Sequence, residues 1–368
     1  MNLVQALLRV DQRNRYRLLC RPNNVEMFGA HVDGASGSEV VTVRLPLPGP
    51  VSRIFYDQLV VGPSVARSSD VLLVPSHVGS LLAPIPQVVI FQSQLTLPSV
   101  RRDIPVPIRQ PSIPRRIYEE FVLPRSLERA ERVVAISNFI AERLKRDYRV
   151  APEKLAVIHE GVDVRAFRHD QPPNPQAAPY LLFVGTLFPF KNVPTLMRAF
   201  AHLRSERRVP NELRLKIAGK DPTGHEQAAL RELARALEVS EVTDFLGRVR
   251  DDDLPDLYGG AIALIHPSYV EGFGLTPLEA MAARTPVIAS NAGALPEVVG
   301  DAGLLFDPHD EHGLADLIER VVREPALRRS FLERGERRAQ EFTWDRTAQQ
   351  FVSLFEDIDR EGGEADAR

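Results

Sequence analysis

The chain has 368 residues, 44% hydrophobic, 26% charged and 7% aromatic, a balance that excludes fibrous and wholly disordered classes and suits two globular domains. No apolar run reaches the roughly 18–20 residues of a membrane-spanning helix, and the lone cysteine, Cys20, can form no internal disulfide. The net charge of −3 hides a division, since residues 1–170 hold 23 Lys+Arg against 17 Asp+Glu while the rest hold 23 against 32. That basic excess is too modest, and too poor in interleaved aromatics, to indicate nucleic acid.

Residues 2–10 place Leu3, Leu7 and Val10 on one face and predict an initial helix that covers a sheet. Short β-branched runs follow at 16–20, 39–44, 71–74, 87–91, 132–136 and 155–158. Among them, the arginine- and proline-rich stretch 101–116 reads as a basic loop that faces an anionic acceptor, lipid headgroups or solvent. Four prolines in 168–179 mark a linker. Beyond it, strands at 180–184, 213–218, 242–245 and 261–266 alternate with helices at 194–206, 225–237 and 252–258. Such alternation implies α/β architecture, two doubly wound domains with parallel sheets at 1–170 and 180–343 joined through 171–179. Residues 344–360 read as a last amphipathic helix, and 361–368 as a disordered acidic tail. With no leader-like start, a reducing cytoplasm is the expected compartment, with peripheral contact to the inner face of a membrane through the basic first half.

Doubly wound domains bind ligands beyond the carboxyl ends of their strands, which singles out two loops. After strand 261–266, Glu271-Gly272-Phe273-Gly274 leads into a helix with Thr276 as its expected cap and Pro277 in its first turn. A glycine loop opening a helix offers unpaired amides and the positive end of a dipole, which suits phosphate. It is neither a dinucleotide fingerprint, because Pro277 stands where a third glycine would, nor a Walker loop. Glu279 reads as a carboxylate that accepts from a ribose diol, or as the acid of a Thr276-x-x-Glu279 capping box. Glu271 has no such partner and reads as a functional carboxylate beside the glycines. In the loop 185–192, Lys191 is one of five lysines in the chain and suits a diphosphate, or else is a solvated surface lysine. Asp251-Asp252-Asp253, just before Leu254-Pro255, read as a helix start, and the nine histidines show no ligand spacing, so no metal is expected.

Together, Gly185-Thr186 through Lys191-Asn192, the stretch 245–261, the Glu271 to Glu279 pair at E-x7-E spacing and the stretch 285–308 resemble the retaining nucleotide-sugar glycosyltransferases of family 4; 137–144 and 160–163 extend the resemblance into the first half. The resemblance implies the GT-B architecture, two Rossmann-like domains facing a cleft with a C-terminal helix crossing back to the first. It implies sugar transfer from a nucleotide diphosphate sugar, with GDP-mannose as the expected donor, to a glycan or lipid-linked acceptor in cell-envelope polysaccharide synthesis. No metal or other cofactor is implied. Glu279 would hold the donor ribose, Glu271 would face the transferred sugar and diphosphate, and Lys191 would take the diphosphate with the amides of Gly274 and Leu275. Gly185, Thr186, Gly219, Lys220, Arg248, Val249, Gly272 and Phe273 complete the implied donor site.

There are departures. Thr186 and Phe190 stand where family members place an arginine, Arg284 where a glycine is usual, and Gln92-Ser93-Gln94 where many have His-Asp. No general base is assigned, which suits retention with the leaving phosphate accepting the proton. The family's first strand and glycine loop have no counterpart before residue 2, from which poor solubility and weak activity are expected. An epimerase-like or phosphorylase-like enzyme of the same fold, and a non-catalytic partner subunit, are the alternative readings.

Overall fold

Val88, Val89, Ile90 and Phe91 are apolar without alternation, the pattern of a parallel strand covered on both faces. In the computed structural model, which describes residues 2–20, 38–42, 58, 61, 69–108, 112, 115–116, 118–168 and 178–366, they form the fully buried strand β4. The chain divides into two compact units, one comprising Met1–Ser99, Arg109–Gly161 and Trp344–Arg368, the other Val100–Ile108 and Val162–Thr343.

In the first unit, β1 (Arg17–Cys20) pairs in parallel with β2 (Glu39–Thr42). A four-stranded parallel sheet runs β3 (Leu72–Val74), β4 (Gln87–Phe91), β5 (Arg132–Ala135), β6 (Leu155–Val157). These are the predicted strands to within one residue at each end where described. After β5, Ser137 accepts from the amide of Ile140 and starts the helix Asn138–Tyr148. The initial helix Asn2–Val10 exists, but its apolar side packs chiefly on the last helix rather than on a sheet. That last helix, Trp344–Asp366, runs past the predicted end at 360, so the residues through 366 that were expected to be disordered are helical. Arg9 pairs with Asp345, Arg13 with Glu356 and Arg132 with Glu361, so acidic residues read as a solvated tail have partners. Of the stretch expected as a basic loop, Arg101–Asp103 complete the helix Pro98–Asp103, Arg115 and Arg116 pair with Glu119 and Glu120, and part of 109–114 lies outside the described residues.

The second unit takes in Val100–Ile108 and resumes at Val162, earlier than the predicted 180. The amide of Val162 donates to the Phe342 carbonyl, and Phe167 of the short helix Val164–Phe167 rests on the Tyr258 ring, so this stretch, expected in the first domain 1–170, packs on the second unit instead. Most of the predicted linker, 171–177, lies outside the described residues. The unit's six parallel strands are β7 (Tyr180–Val184), β8 (Arg214–Ala218), β9 (Thr243–Gly247), β10 (Ala263–His266), β11 (Val287–Ser290) and β12 (Leu304–Phe306). Their spatial order is β12-β11-β10-β7-β8-β9. Chain order therefore reverses between β7 and β10, a switch point that leaves a crevice beyond their carboxyl ends. Leu181, Phe183, Leu215 and Ile265 of the sheet pack with Leu196, Phe200, Leu314 and Ile318 of the covering helices. Asp251–Asp253 form the turn that enters the helix Leu254–Gly259.

Candidate active site at the switch point

Every singled-out position of the second half falls after the carboxyl end of β7, β8, β9 or β10. Gly185, Thr186 and Lys191 follow β7; Gly219 and Lys220 follow β8; Arg248 and Val249 follow β9; and Glu271, Gly272, Phe273, Gly274, Leu275 and Glu279 follow β10. Gly219 has a steric reason to be glycine, since a Cβ there would lie 1.8 Å from the carbonyl oxygen of Gly185. Lys220 and Arg248 are exposed, and the Lys220 carbonyl accepts from the amide of Leu187, which ties the β8 and β7 loops together.

The β7 loop is held by Asn192. At φ 56° it adopts a left-handed conformation that Asn tolerates, and its Nδ2 donates to the carbonyls of Pro267 (3.1 Å) and Pro308 (2.8 Å). One amide thus clamps the loops after β7, β10 and β12. The Tyr269 amide adds a bond to Phe190 carbonyl at 2.8 Å. Lys191 is thereby delivered to the β10 loop, where its Nζ donates to Glu271 Oε1 at 2.6 Å.

Two further side chains converge on that oxygen, His266 Nε2 at 2.8 Å and Ser268 Oγ at 2.6 Å. Burial holds His266 below its usual range and hence neutral, so the Nε2 proton is the one given to Glu271. Burial works to raise the Glu271 carboxyl, but the charge of Lys191 and the bonds from His266 and Lys191 outweigh it and hold it well below the carboxylate range. The backbone of Glu271 is fixed as well. Its carbonyl accepts from the Ala294 amide, and Gly293, at φ +63°, lies so close that a Cβ would sit 2.4 Å from the Glu271 oxygen.

Eight residues on, Glu279 sits in another environment. The helix Leu275–Ala282 is capped by Gly274, whose φ of 131° suits glycine, and Thr276 lies inside the helix. The expected Thr276 cap is therefore corrected: glycine makes the turn into the helix one residue before Leu275. Glu279 Oε2 accepts instead from the Tyr258 hydroxyl at 2.8 Å, and the Thr285 hydroxyl anchors the Tyr258 carbonyl at 2.7 Å. Burial, helped by Asp251, raises the Glu279 carboxyl against the lowering effect of the Tyr258 bond. The first amides of this helix, those of Leu275 and Thr276, have no intrahelical acceptor, as an anion site at a helix N-terminus requires.

The switch point thus combines a half-buried lysine, an ionised carboxylate, a second carboxyl shifted upward and a helix N-terminus. The model of glycosyl transferases group 1 matches residues 164–338, and that of Glycosyltransferase Family 4 matches 22–166. The chain thus joins a Glycosyltransferase Family 4 segment to a glycosyl transferases group 1 segment. Among its relatives, the O-antigen chain mannosyltransferase B of Escherichia coli is 31% identical over 255 residues, 65% of this chain and 64% of that protein. The D-inositol 3-phosphate glycosyltransferase of Saccharomonospora viridis is 36% identical over 241 residues, 61% of this chain and 55% of its own. The match thus spans under two-thirds of either relative's length. Anabaena HepE, solved in complex with UDP-glucose, shares the GT-B fold, with a TM-score of 0.71 at 18% identity over 97% of this chain and 95% of its own.

Reading the sequence picked out Lys191, Glu271 and Glu279, but not His266, Ser268, Asn192, Tyr258 or Gly293. The histidine ends a strand that looks merely apolar, and the asparagine and glycine lie in ordinary loop composition. Only Ser268, three residues before Glu271 in the same loop, carried a signal that spacing could have raised.

Proposed function

We propose that this chain transfers a hexosyl group, mannosyl from GDP-mannose foremost, from a nucleoside diphosphate sugar to a glycan or lipid-linked acceptor of the cell envelope, with retention and without a metal. The observation that carries the reading is the pair of half-buried Lys191 and buried Glu271 bridging the β7 and β10 loops at the switch point, beside a glycine-capped helix N-terminus. A lysine already desolvated costs little more to place against a diphosphate, and the loop amides add donors to the same charge. Glu279, anchored by Tyr258, suits a ribose diol, because a raised carboxyl accepts or donates to neutral hydroxyls.

In the reaction the bond between the anomeric carbon and the diphosphate oxygen breaks while the acceptor oxygen bonds to that carbon on the same face. The acceptor proton passes to the departing phosphate. What the protein supplies is position and charge stabilisation of the leaving group, from Lys191 and the helix amides. Glu271 keeps Lys191 aimed and faces the sugar. The mannosyltransferase among the relatives favours a hexosyl donor of that class. No helix among the described residues is long and apolar enough to cross a membrane, so an envelope acceptor would be met by peripheral contact through the basic first half.

The test is a thermal-shift screen of nucleotide sugars on the full chain, then turnover with the stabilising donor and lipid-linked acceptors. Stabilisation by a nucleoside diphosphate, with Glu271→Ala lowering kcat at saturating donor, is the expected result. No response to any nucleoside diphosphate, from a protein shown to be folded, overturns it.

A further inference from the structure

Away from the switch point, the helices Val193–Ser205 and Glu311–Arg323 pack against each other through Leu196, Phe200, Leu314 and Ile318. This packing sets His202, in the last turn of the first helix, against Glu311 and His312, in the first turn of the second. His202 Nε2 lies 3.2 Å from Glu311 Oε1, and the His202 and His312 rings have centroids 4.6 Å apart. One ligand atom from each of the three lies within 4.8 Å of the others, the grouping of metal-ligating side chains found among the described residues.

We propose that His202, Glu311 and His312 bind a divalent transition-metal ion, zinc foremost, at a site separate from the donor crevice. Metal–ligand bonds of about 2.0–2.1 Å at a tetrahedral angle put ligand atoms roughly 3.3–3.4 Å apart, which the His202–Glu311 pair already meets. His312 is exposed at the surface, so it closes the set by turning its side chain, with no movement of the backbone. Two imidazoles and one carboxylate make a three-ligand set that leaves a fourth position to water, and that favours zinc, nickel or copper over the oxygen-seeking magnesium and calcium.

The scaffold is fixed before any ion arrives. Asp310 caps the second helix by accepting from the Gly313 amide at 2.8 Å, which sets the directions of Glu311 and His312. Arg198, one turn before His202, has a guanidinium nitrogen 3.9 Å from Glu311 Oε2. It holds the far carboxylate oxygen and leaves Oε1 to the ion, an outer-shell role. The positive end of the second helix opposes a cation, and the Asp310 and Glu311 carboxylates offset it. The ion would cross-link the end of the helix whose start seats Lys191 and Asn192, about 15 Å away along ten residues. At that distance it takes no part in the chemistry. Sequence spacing concealed the site, because His202 and Glu311 are 109 positions apart.

The test uses the untagged full chain stripped of metal, titrated with ZnCl2 by calorimetry and with CoCl2 by visible absorption. One zinc per chain, a cobalt ligand-field band and no response to MgCl2 are expected. His202→Ala and His312→Asn should each weaken zinc binding at least tenfold while the affinity for GDP or UDP stays at the wild-type value. Because His312 is exposed, its replacement leaves the packed helices intact and keeps the test decisive. Zinc stoichiometry well below one, equal binding of magnesium, or unchanged zinc affinity in either variant overturns the site.

Discussion

Glu271 and Glu279 lie at the two ends of one loop and helix start, yet their surroundings shift the two carboxyls in opposite directions. Glu271 meets a lysine, a neutral histidine and a serine on one oxygen and stays ionised despite burial. Glu279 meets a tyrosine hydroxyl and a distant aspartate, and burial pushes it up. The difference teaches that spacing sets two carboxylates in one loop and helix start, while their neighbours decide which way each carboxyl is shifted. Pairs of acids driven apart in this way are the usual mark of divided roles in one site.

The sharpest way to break the comparison is to remove the cation from the Glu271 end. Lys191→Ala should destabilise the chain by about 3–5 kcal/mol, because a buried carboxylate loses its counter-charge. Urea denaturation should show the double variant Lys191→Ala, Glu271→Ala less unstable than Lys191→Ala alone. An unchanged midpoint in the single variant would falsify the view that this pair holds the crevice.

Gly293→Ala attacks the same end through the backbone. With φ at +63° and a Cβ 2.4 Å from the Glu271 oxygen, a loss of about 2–4 kcal/mol is expected, with donor binding falling alongside. A wild-type melting temperature for this variant would mean that the loop yields without cost.

At the other end the expected loss is in binding. Glu279→Ala should weaken nucleoside diphosphate binding by roughly 10–150-fold, about 1.5–3 kcal/mol, by calorimetry. Tyr258→Phe, which removes only the anchoring hydroxyl, should cost about 0.5–1.5 kcal/mol of stability and less affinity. Should Glu279→Ala bind normally but melt early, the carboxylate is structural only.

A third carboxylate, in the first unit, extends the contrast. Glu160 accepts from Gln92 Nε2 at 3.3 Å, and burial raises it to about 7. The folded chain then binds a proton that the unfolded chain releases at an ordinary carboxylate pKa. Stability from this group is present at acid pH and is lost as pH rises to about 7. Glu160→Gln should therefore gain on the order of 1–3 kcal/mol at pH 8 and nothing near pH 4. Equal gains at both pH values would show that the charge is not the cause.

The parallel strands and the loops that follow them were legible in the sequence, because a fully buried strand must be continuously apolar and a loop that seats a phosphate must combine glycine with a cation. Lys191, Glu271 and Glu279 carried that signal, and the order of strands and helices carried the fold. Tertiary structure alone decided what those residues meet. His266 is an acceptable end to a buried strand until the β10 loop folds back and sets Glu271 against its Nε2. Tyr258 is a core residue until Glu279 reaches its hydroxyl. The 361–366 stretch looks too charged to fold, and becomes helical because the helix continues from Trp344 and Arg132 pairs with Glu361. Periodicity and composition report which face of an element is apolar and which residues a turn permits. Partners drawn from positions tens or hundreds of residues apart leave no trace in either, since their proximity is set by strand order and helix packing.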